Sequence, residues 1–509
     1  MAATVGRERM SSVDTAWLRM DRPSNLMKIV GNDVIERPVD TAALRAVIEE
    51  RLLAFDRFRQ RVEYDATGAA WWVDDDRFDL DAHLVPHRLD GEAGDVELQR
   101  FVAELAITPL DPERPLWQFH LVHGYKGTDA LVARIHHCIA DGIALVRVLL
   151  SLTDDAPPPS GTRRRARAAG PGGDEHGDAE LTSNPWRPFL QPITAGAVKA
   201  IEATGSAIGA TGSAVARSVR IAGDPEKLAD VAQAAQRVIV DAARIALMTS
   251  DTQTCLKGVP GVAKGIAWNE PLPLDDVKLV CRALGASVND VLMSCVAGAL
   301  RTYLRGRGED TTGCEIRAMV PVNLRRTDGP IRLGNAFGLV PLELPVGIAN
   351  PIARLQEVRR RMDNLKGGYQ AVLAYTLLEV VGRAPKLVQD PILHYVASKA
   401  TAVMTNVPGP KEPLSLAGRR LSRMMFWVPQ SGDIGFGVSI LSYAGGVQFG
   451  VIADRKLCPE PQQLIDAFKP QFEALMLICA MLPPDMLGGV LDADGLEHAL
   501  FGEPPKAVA

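Results

Sequence analysis

Apolar and polar positions alternate along much of this chain in short stretches, some with period two and some with period 3.6. The stretch ALVARIHH, ending at His136 and His137, reads as a strand whose side chains point alternately to two faces. Ala133, Ile135 and His137 share one face; Arg134 and His136 share the other. IALVRVLLSL, just after Gly142, is apolar on nearly every side and predicts a buried helix. LGASVNDVLMSCVAGALRTYL predicts a longer helix, with Val288, Val291, Leu292, Cys295, Val296, Ala299, Leu300 and Tyr303 on one face. Ser287 and Asp290 form a capping box at its start. GFGVSILSY and VQFGVIAD alternate as two strands around a hairpin turn at Ala444-Gly445-Gly446. Strands interleaved with helices predict an α/β protein with mixed sheets.

The pattern breaks once, and the break suggests the domain plan. Residues 154–185 are rich in Pro, Gly and charge and hold few large apolar side chains, so they predict a disordered linker. Its Arg163, Arg164, Arg165 and Arg167 read first as a solvated tether and second as a contact to an anionic lipid surface. Residues 186–250 are Ala-rich and predict a helical connecting segment, opened in its second half by Asp224-Pro225. One subdomain is expected over residues 1–153 and a second over 251–509.

Composition narrows the function classes. The 509 residues suffice for two or three full hydrophobic cores, and 47% hydrophobic with 23% charged residues is an ordinary globular balance. A net charge of −5 and 5% aromatic residues argue against a nucleic-acid binder. Seven scattered cysteines without a CxxC pair read as reduced thiols, not as a disulfide framework or a zinc site. The N-terminal MAATVGRERMSSVD lacks an apolar stretch and does not read as a signal peptide. No uninterrupted apolar run approaches the roughly 20 residues that span a bilayer. The expectation is a cytoplasmic protein, in peripheral contact with the inner face of the plasma membrane or with lipid droplets.

Candidate chemistry concentrates in His136-His137-Cys138-Ile139-Ala140-Asp141-Gly142. A neutral imidazole, with an ordinary pKa of about 6.5, is the commonest general base near neutral pH. One such histidine alone reads as structural, with Asp141 a helix cap and Gly142 a turn residue. The joint arrangement of two His, Asp and Gly arises by chance on the order of once in a thousand such chains. His137 is therefore the candidate base, with His136 and Asp141 as scaffolding. His83, His87, His120 and His123 lack ligand-like partners in sequence and suggest no metal site.

These residues and several motifs around them resemble the bacterial wax ester synthase/acyl-CoA:diacylglycerol acyltransferase family, within the CoA-dependent acyltransferases. Pro115-Leu116-Trp117 is similar to the family's PLW segment, and Ser287-Val288-Asn289-Asp290-Val291 to its Asn-Asp helix start. Thr405-Asn406-Val407-Pro408-Gly409-Pro410 is similar to its SNVPGP turn, and SYAGGVQFGVIADRKLCPEP to its C-terminal hairpin. The resemblance implies two chloramphenicol-acetyltransferase-like subdomains around a central tunnel, with the His motif in the middle. It implies acyl-CoA as co-substrate, diacylglycerol or a fatty alcohol as acceptor, no metal, no bound cofactor and no covalent acyl-enzyme. It also offers Asn289 as a donor to the tetrahedral oxyanion, against its plain reading as a polar residue in a capping box, and gives Asp141 a structural role. Lys257 stands where the family often has Asn, and Lys264-Gly265 where it often has an Arg pair, which questions local acceptor or CoA contacts. Two other readings stay open: a condensation-type enzyme fed by a carrier protein, and a catalytically weak paralogue that binds lipid surfaces.

Overall fold

A computed structural model describes residues 7–156, 248–325, 331–366, 370–383 and 386–482. The linker arginines and nearly all of the Ala-rich connecting segment lie outside the described residues.

The first part of the chain runs β1 (Arg7–Arg9), α1 (Ser12–Arg19), β2 (Lys28–Ile35), α2 (Thr41–Val47), β3 (Gln60–Tyr64), β4 (Ala70–Asp74) and β5 (Leu84–Arg88). It continues with α3 (Asp95–Ile107), β6 (Trp117–Tyr125), β7 (Thr128–His136) and α4 (Gly142–Ser151). The second part opens with β8 (Lys264–Trp268), β9 (Leu272–Pro273), α5 (Leu274–Ala283), α6 (Val288–Gly306), β10 (Ile316–Asn323) and β11 (Phe337–Leu344). Then come α7 (Pro351–Lys366), α8 (Gln370–Arg383), α9 (Lys386–Ala397) and β12 (Ala402–Pro408). It closes with β13 (Ser415–Leu416), β14 (Arg419–Trp427), β15 (Phe436–Tyr443), β16 (Gly446–Asp454) and α10 (Pro461–Met481).

Two large sheets organise the molecule. One has the order β13-β14-β2-β7-β6-β5; the other runs β11-β10-β12-β15-β16-β8, with β9 on β16. The expected division at residue 251 does not separate them. β13 and β14 come late in sequence yet complete the sheet of the first part, where β14 pairs with β2 from Leu421↔Ile35 to Trp427↔Val30. Hydrophobic pattern alone could not place this strand, because its partner lies almost 400 residues away in sequence.

The elements form where the pattern asks for them. Ser287 caps α6, and the capping box with Asp290 is made in full. Ala444 and Gly445 both take positive φ, 48° and 80°, which suits a two-residue hairpin between β15 and β16. α4 departs from expectation: it buries Ala144, Leu145 and Val148 in one stripe and leaves its other positions half-buried. Among the described residues no single helix is long and apolar enough to cross a membrane.

Each face of the first sheet has its own core. One face packs Ile35, Trp117, Phe119, Leu131, Ala133 and Ile135 against α1, α2 and α4. The opposite face packs Val30, Val132 and Trp427 against α3 and against Ile266, Trp268 and Ile452 of the other sheet. Trp427 is 1% exposed and lies 5.6 Å from Trp268, ring to ring. Trp427→Ala should therefore cost about 3–5 kcal/mol. Urea unfolding followed by circular dichroism should show one transition with a lower midpoint, since this side chain packs across both sheets.

Candidate active site

Strand order places the two histidines. β7 lies between β2 and β6, and its last residue, His136, pairs with Lys28. The His136 N–H donates to the Leu116 carbonyl at 2.9 Å, and the His137 N–H to the Met27 carbonyl at 2.7 Å. The PLW segment thus holds the backbone under the motif, while Trp117 itself is core: 1% exposed, stacked on His83 at 4.5 Å, its indole N–H on the Phe58 carbonyl.

The two rings then diverge, as the alternation predicts. His137 turns to the side of α1, where its ring stacks on Trp17 at 4.3 Å and lies 5.5 Å from Phe337. It is 4% exposed. Its Nδ1 meets Asn335 Oδ1 at 2.8 Å, and among the described residues its Nε2 makes no hydrogen bond. Burial is the main reason its pKa drops to about 4; the charge of Asp141 and the hydrogen bond to Asn335 oppose that drop. The ring is therefore neutral at neutral pH, the form a general base requires.

His136 turns the other way. Its Nδ1 accepts the Cys138 N–H at 3.1 Å, which leaves Nε2–H to face Asp21 Oδ2 at 3.3 Å. Burial works to raise the Asp21 carboxyl, but the hydrogen bond and charge of His136 bring it below the ordinary carboxylate value. This pair borders a cavity of about 200 Å³ whose wall includes Leu18, Lys28, Tyr64 and Leu116. Lys28 is pushed down to about 7, first by burial and then by the charge of Arg134, and its Nζ is held by the Leu105 and Thr108 carbonyls. A second cavity shares Leu26 and Lys28 and lies between the two sheets, against Lys264, Trp427 and Ile452.

Asp141 caps α4 through the Ala144 N–H at 2.9 Å. Its other oxygen accepts the Ala336 N–H at 3.0 Å and faces Arg325 at 3.1 Å. It thereby ties the motif loop to the segment before β11. Gly142 is the first residue of α4, not a turn with positive φ, and a Cβ there would meet no protein atom within 4 Å. Protein packing therefore does not demand glycine at this position.

Asn289 stands apart from this cluster. It is exposed in the first turn of α6, and its Oδ1 accepts from Asn406 Nδ2 at 2.6 Å. No hydrogen bond or ring contact joins it to His137 among the described residues. Asn406 lies on β12 opposite Ile440 of β15, three residues beyond the last β10–β12 pair, Met319↔Val403. The two odd lysines are internal braces. Lys257 pairs with buried Asp251, and Lys264 donates to Asn25 Oδ1 at 2.7 Å with Asp454 at 3.8 Å.

Sequence reasoning missed Asp14, Trp17, Arg325, Asn335 and Phe337. No local signal marked them: half of the first helix, SVDTAWLR, is polar, so Asp14 does not stand out, and Asn335 lies 198 residues from the ring it touches. Gly334, at φ 90°, makes the approach possible. Its N–H donates to the Ile139 carbonyl, its own carbonyl accepts the Asp141 N–H, and a Cβ would come within 3.2 Å of Asp14.

Asp141→Ala removes a helix cap and one partner of a mostly buried ion pair, and should destabilise the fold by about 2–4 kcal/mol. Gly142→Ala should leave the thermal midpoint within about 2 °C of the parent, because no protein atom crowds the new methyl group. Thermal denaturation of the two variants side by side checks both expectations.

Comparison with known proteins is consistent with this geometry. The model of the wax ester synthase/diacylglycerol acyltransferase catalytic domain matches residues 10–292, more than half of the chain, and the WS/DGAT C-terminal domain matches 333–476. The Mycobacterium tuberculosis (strain H37Rv) protein named "Probable diacyglycerol O-acyltransferase tgs1" is 27% identical over 481 residues, covering 92% of this chain and 96% of the other. Among solved structures, the wax ester synthase/diacylglycerol acyltransferase from Marinobacter aquaeolei VT8 superposes with a TM-score of 0.62 at 21% identity, covering 93% of this chain and 99% of that one. The first condensation domain of the calcium-dependent antibiotic synthetase shares the fold, with a TM-score of 0.56 at 15% identity over 93% and 96% of the two chains. The chain belongs to the wax ester synthase/diacylglycerol acyltransferase family.

Proposed function

We propose that the protein is an acyl-CoA-dependent O-acyltransferase that esterifies the hydroxyl of diacylglycerol, a fatty alcohol or both. The observation that carries this reading is the buried, neutral His137, whose Nε2 is free of hydrogen bonds among the described residues. Family membership and the mycobacterial relative supply the substrate class.

Transfer is direct in this reading. The acceptor oxygen attacks the thioester carbonyl carbon as His137 Nε2 takes the hydroxyl proton. The tetrahedral intermediate collapses, the C–S bond breaks, and the imidazolium returns the proton to the departing CoA thiolate. The products are an ester and free CoA, and the base ends as it began. A positioned base contributes about 10²–10⁴-fold to such a step. Acyl-CoA enters as a co-substrate and not as a resident cofactor. Asn289 remains the candidate oxyanion donor on the strength of the family resemblance; its Oδ1 is taken by Asn406 Nδ2, which leaves its own NH₂ group to donate. Both acceptors dissolve in lipid and not in water, which supports a reading in which the protein collects them at a membrane or droplet surface, the cytoplasmic face being the expectation from sequence.

Release of free CoA thiol from palmitoyl-CoA tests the proposal, with diacylglycerol and hexadecanol as separate acceptors. His137→Ala should lower turnover by about 10²-fold or more while keeping the fold; near-normal turnover in that variant would overturn the assignment. The low pKa of His137 adds a pH expectation. A ring titrating near 4 stays a competent base well below the ordinary histidine value, so kcat/KM should be level from pH 7 down to pH 5. An exposed histidine of ordinary pKa, about 6.5, would lose activity across that interval. The linkage sign agrees: the unfolded ring takes up a proton more readily than the folded one, so stability falls as pH drops from the ordinary value towards about 4.

A further inference from the structure

His137 can act through Nε2 only if its proton sits on Nδ1, and nothing in the ring enforces that choice. We infer that Asn335, locked by Asp14, is the positioning residue that holds His137 as the Nδ1–H tautomer and keeps Nε2 as the basic nitrogen. The inference rests on the acyltransferase reading above for its consequence, though not for its geometry.

The geometry leaves the amide one orientation. Asn335 Nδ2 lies 2.8 Å from Asp14 Oδ1 and 2.7 Å from the His137 carbonyl oxygen. Both of those atoms accept, so the NH₂ group must face them. Turning the amide over would set its oxygen against two other oxygens at those distances, with no proton between them. The Asn335 oxygen therefore faces His137 Nδ1 at 2.8 Å, and only a protonated Nδ1 completes that contact. The Asn335 backbone N–H donates to the same Asp14 oxygen at 3.0 Å, so the carboxyl grips both the side chain and the main chain of Asn335.

The support is rigid and dry. Asp14, Asn335 and His137 are 7%, 7% and 4% exposed. Asp14 sits in the first turn of α1, whose Ser11 cap accepts the Asp14 N–H at 3.0 Å. Trp17, one turn on, stacks on the imidazole whose tautomer Asp14 sets through Asn335. One short helix thus fixes both the plane of the ring and, at one remove, the location of its proton. In such an environment an unmet hydrogen-bonding group is costly, so the preference for one tautomer is stronger than the same contacts would give in water.

The test reads the proton directly. ¹⁵N-histidine NMR on the full chain, with the His137 signals identified by their loss in His137→Gln, reports which ring nitrogen is protonated at neutral pH. The expected result is a protonated Nδ1 in the parent. In Asn335→Leu the ring should shift towards the Nε2–H form that free histidine prefers. The kcat of that variant should fall by about 10²-fold or more, and KM should change by less than about threefold. Asp14→Ala removes the carboxyl that grips Asn335 and leaves its NH₂ group only the His137 carbonyl, so it should move the ring in the same direction and lower kcat. It also decides the matter if Asn335→Leu does not fold. A parent ring carrying its proton on Nε2, or a folded Asn335→Leu or Asp14→Ala with unchanged tautomer and kcat, would each overturn the inference. Turnover surviving in His137→Ala would defeat the base assignment and leave the tautomer result standing, so the two failures are distinguishable.

Discussion

A histidine that is to act as a base inside a protein must be kept dry without being left adrift, and this constraint organises the centre of the molecule. Burial lowers the pKa of His137 to about 4, which ensures the neutral ring but removes the water that would otherwise satisfy its nitrogens. The fold answers with one acceptor at Nδ1, one aromatic face from Trp17, and a backbone N–H held by the Met27 carbonyl. Only Nε2 is left unmet among the described residues, as a site for substrate requires.

Those contacts come from distant parts of the chain, so the site exists only when the whole fold closes. Met27 precedes β2, Trp17 belongs to α1, and Asn335 precedes β11 in the other sheet. Segment 334–336 bonds to the motif loop along its length: Gly334 with Ile139 and Asp141, Asn335 with His137, Ala336 with Asp141. Two carboxyls, Asp14 and Asp141, each receive a backbone N–H from this segment. Shared buried hydrogen bonds of this kind couple neighbouring residues, so losses around the ring will not add independently.

What the sequence made legible follows from the range of each signal. The motif helix, the capping box at Ser287 and the β15–β16 hairpin are local, and local pattern places them within a residue or two. The divergence of His136 and His137 also follows from strand alternation alone. The crossing of β14 into the first sheet, and the meeting of Asn335 with His137, are set by tertiary packing and carry no periodicity. Gly142 shows the reverse error: an Asp-Gly pair suggests a turn, but Asp141 is a helix cap and the glycine simply begins the helix. Lys257 and Lys264 read as departures from the family pattern, and each is paired with a carboxyl that sequence could not show, Asp251 and Asp454.

A base with a pKa near 4 looks too weak to take a proton from an alcohol, and burial is the cause of the weakness. That penalty applies to a lone imidazolium in a dry site. In acyl transfer the imidazolium never forms alone, because the proton arrives as negative charge develops on the tetrahedral oxygen nearby. In the proposed reaction that pair of charges would attract more strongly in a low-dielectric site than in water, which offsets part of the desolvation that discourages protonation of the resting ring. The contact from Asn335 at Nδ1 strengthens as the ring gains charge, and the charge of Asp141, which already opposes the drop in pKa, acts in the same direction. In the proposed reaction, resting neutrality and reactive basicity are thus set at one buried position and separated by whether substrate charge is present.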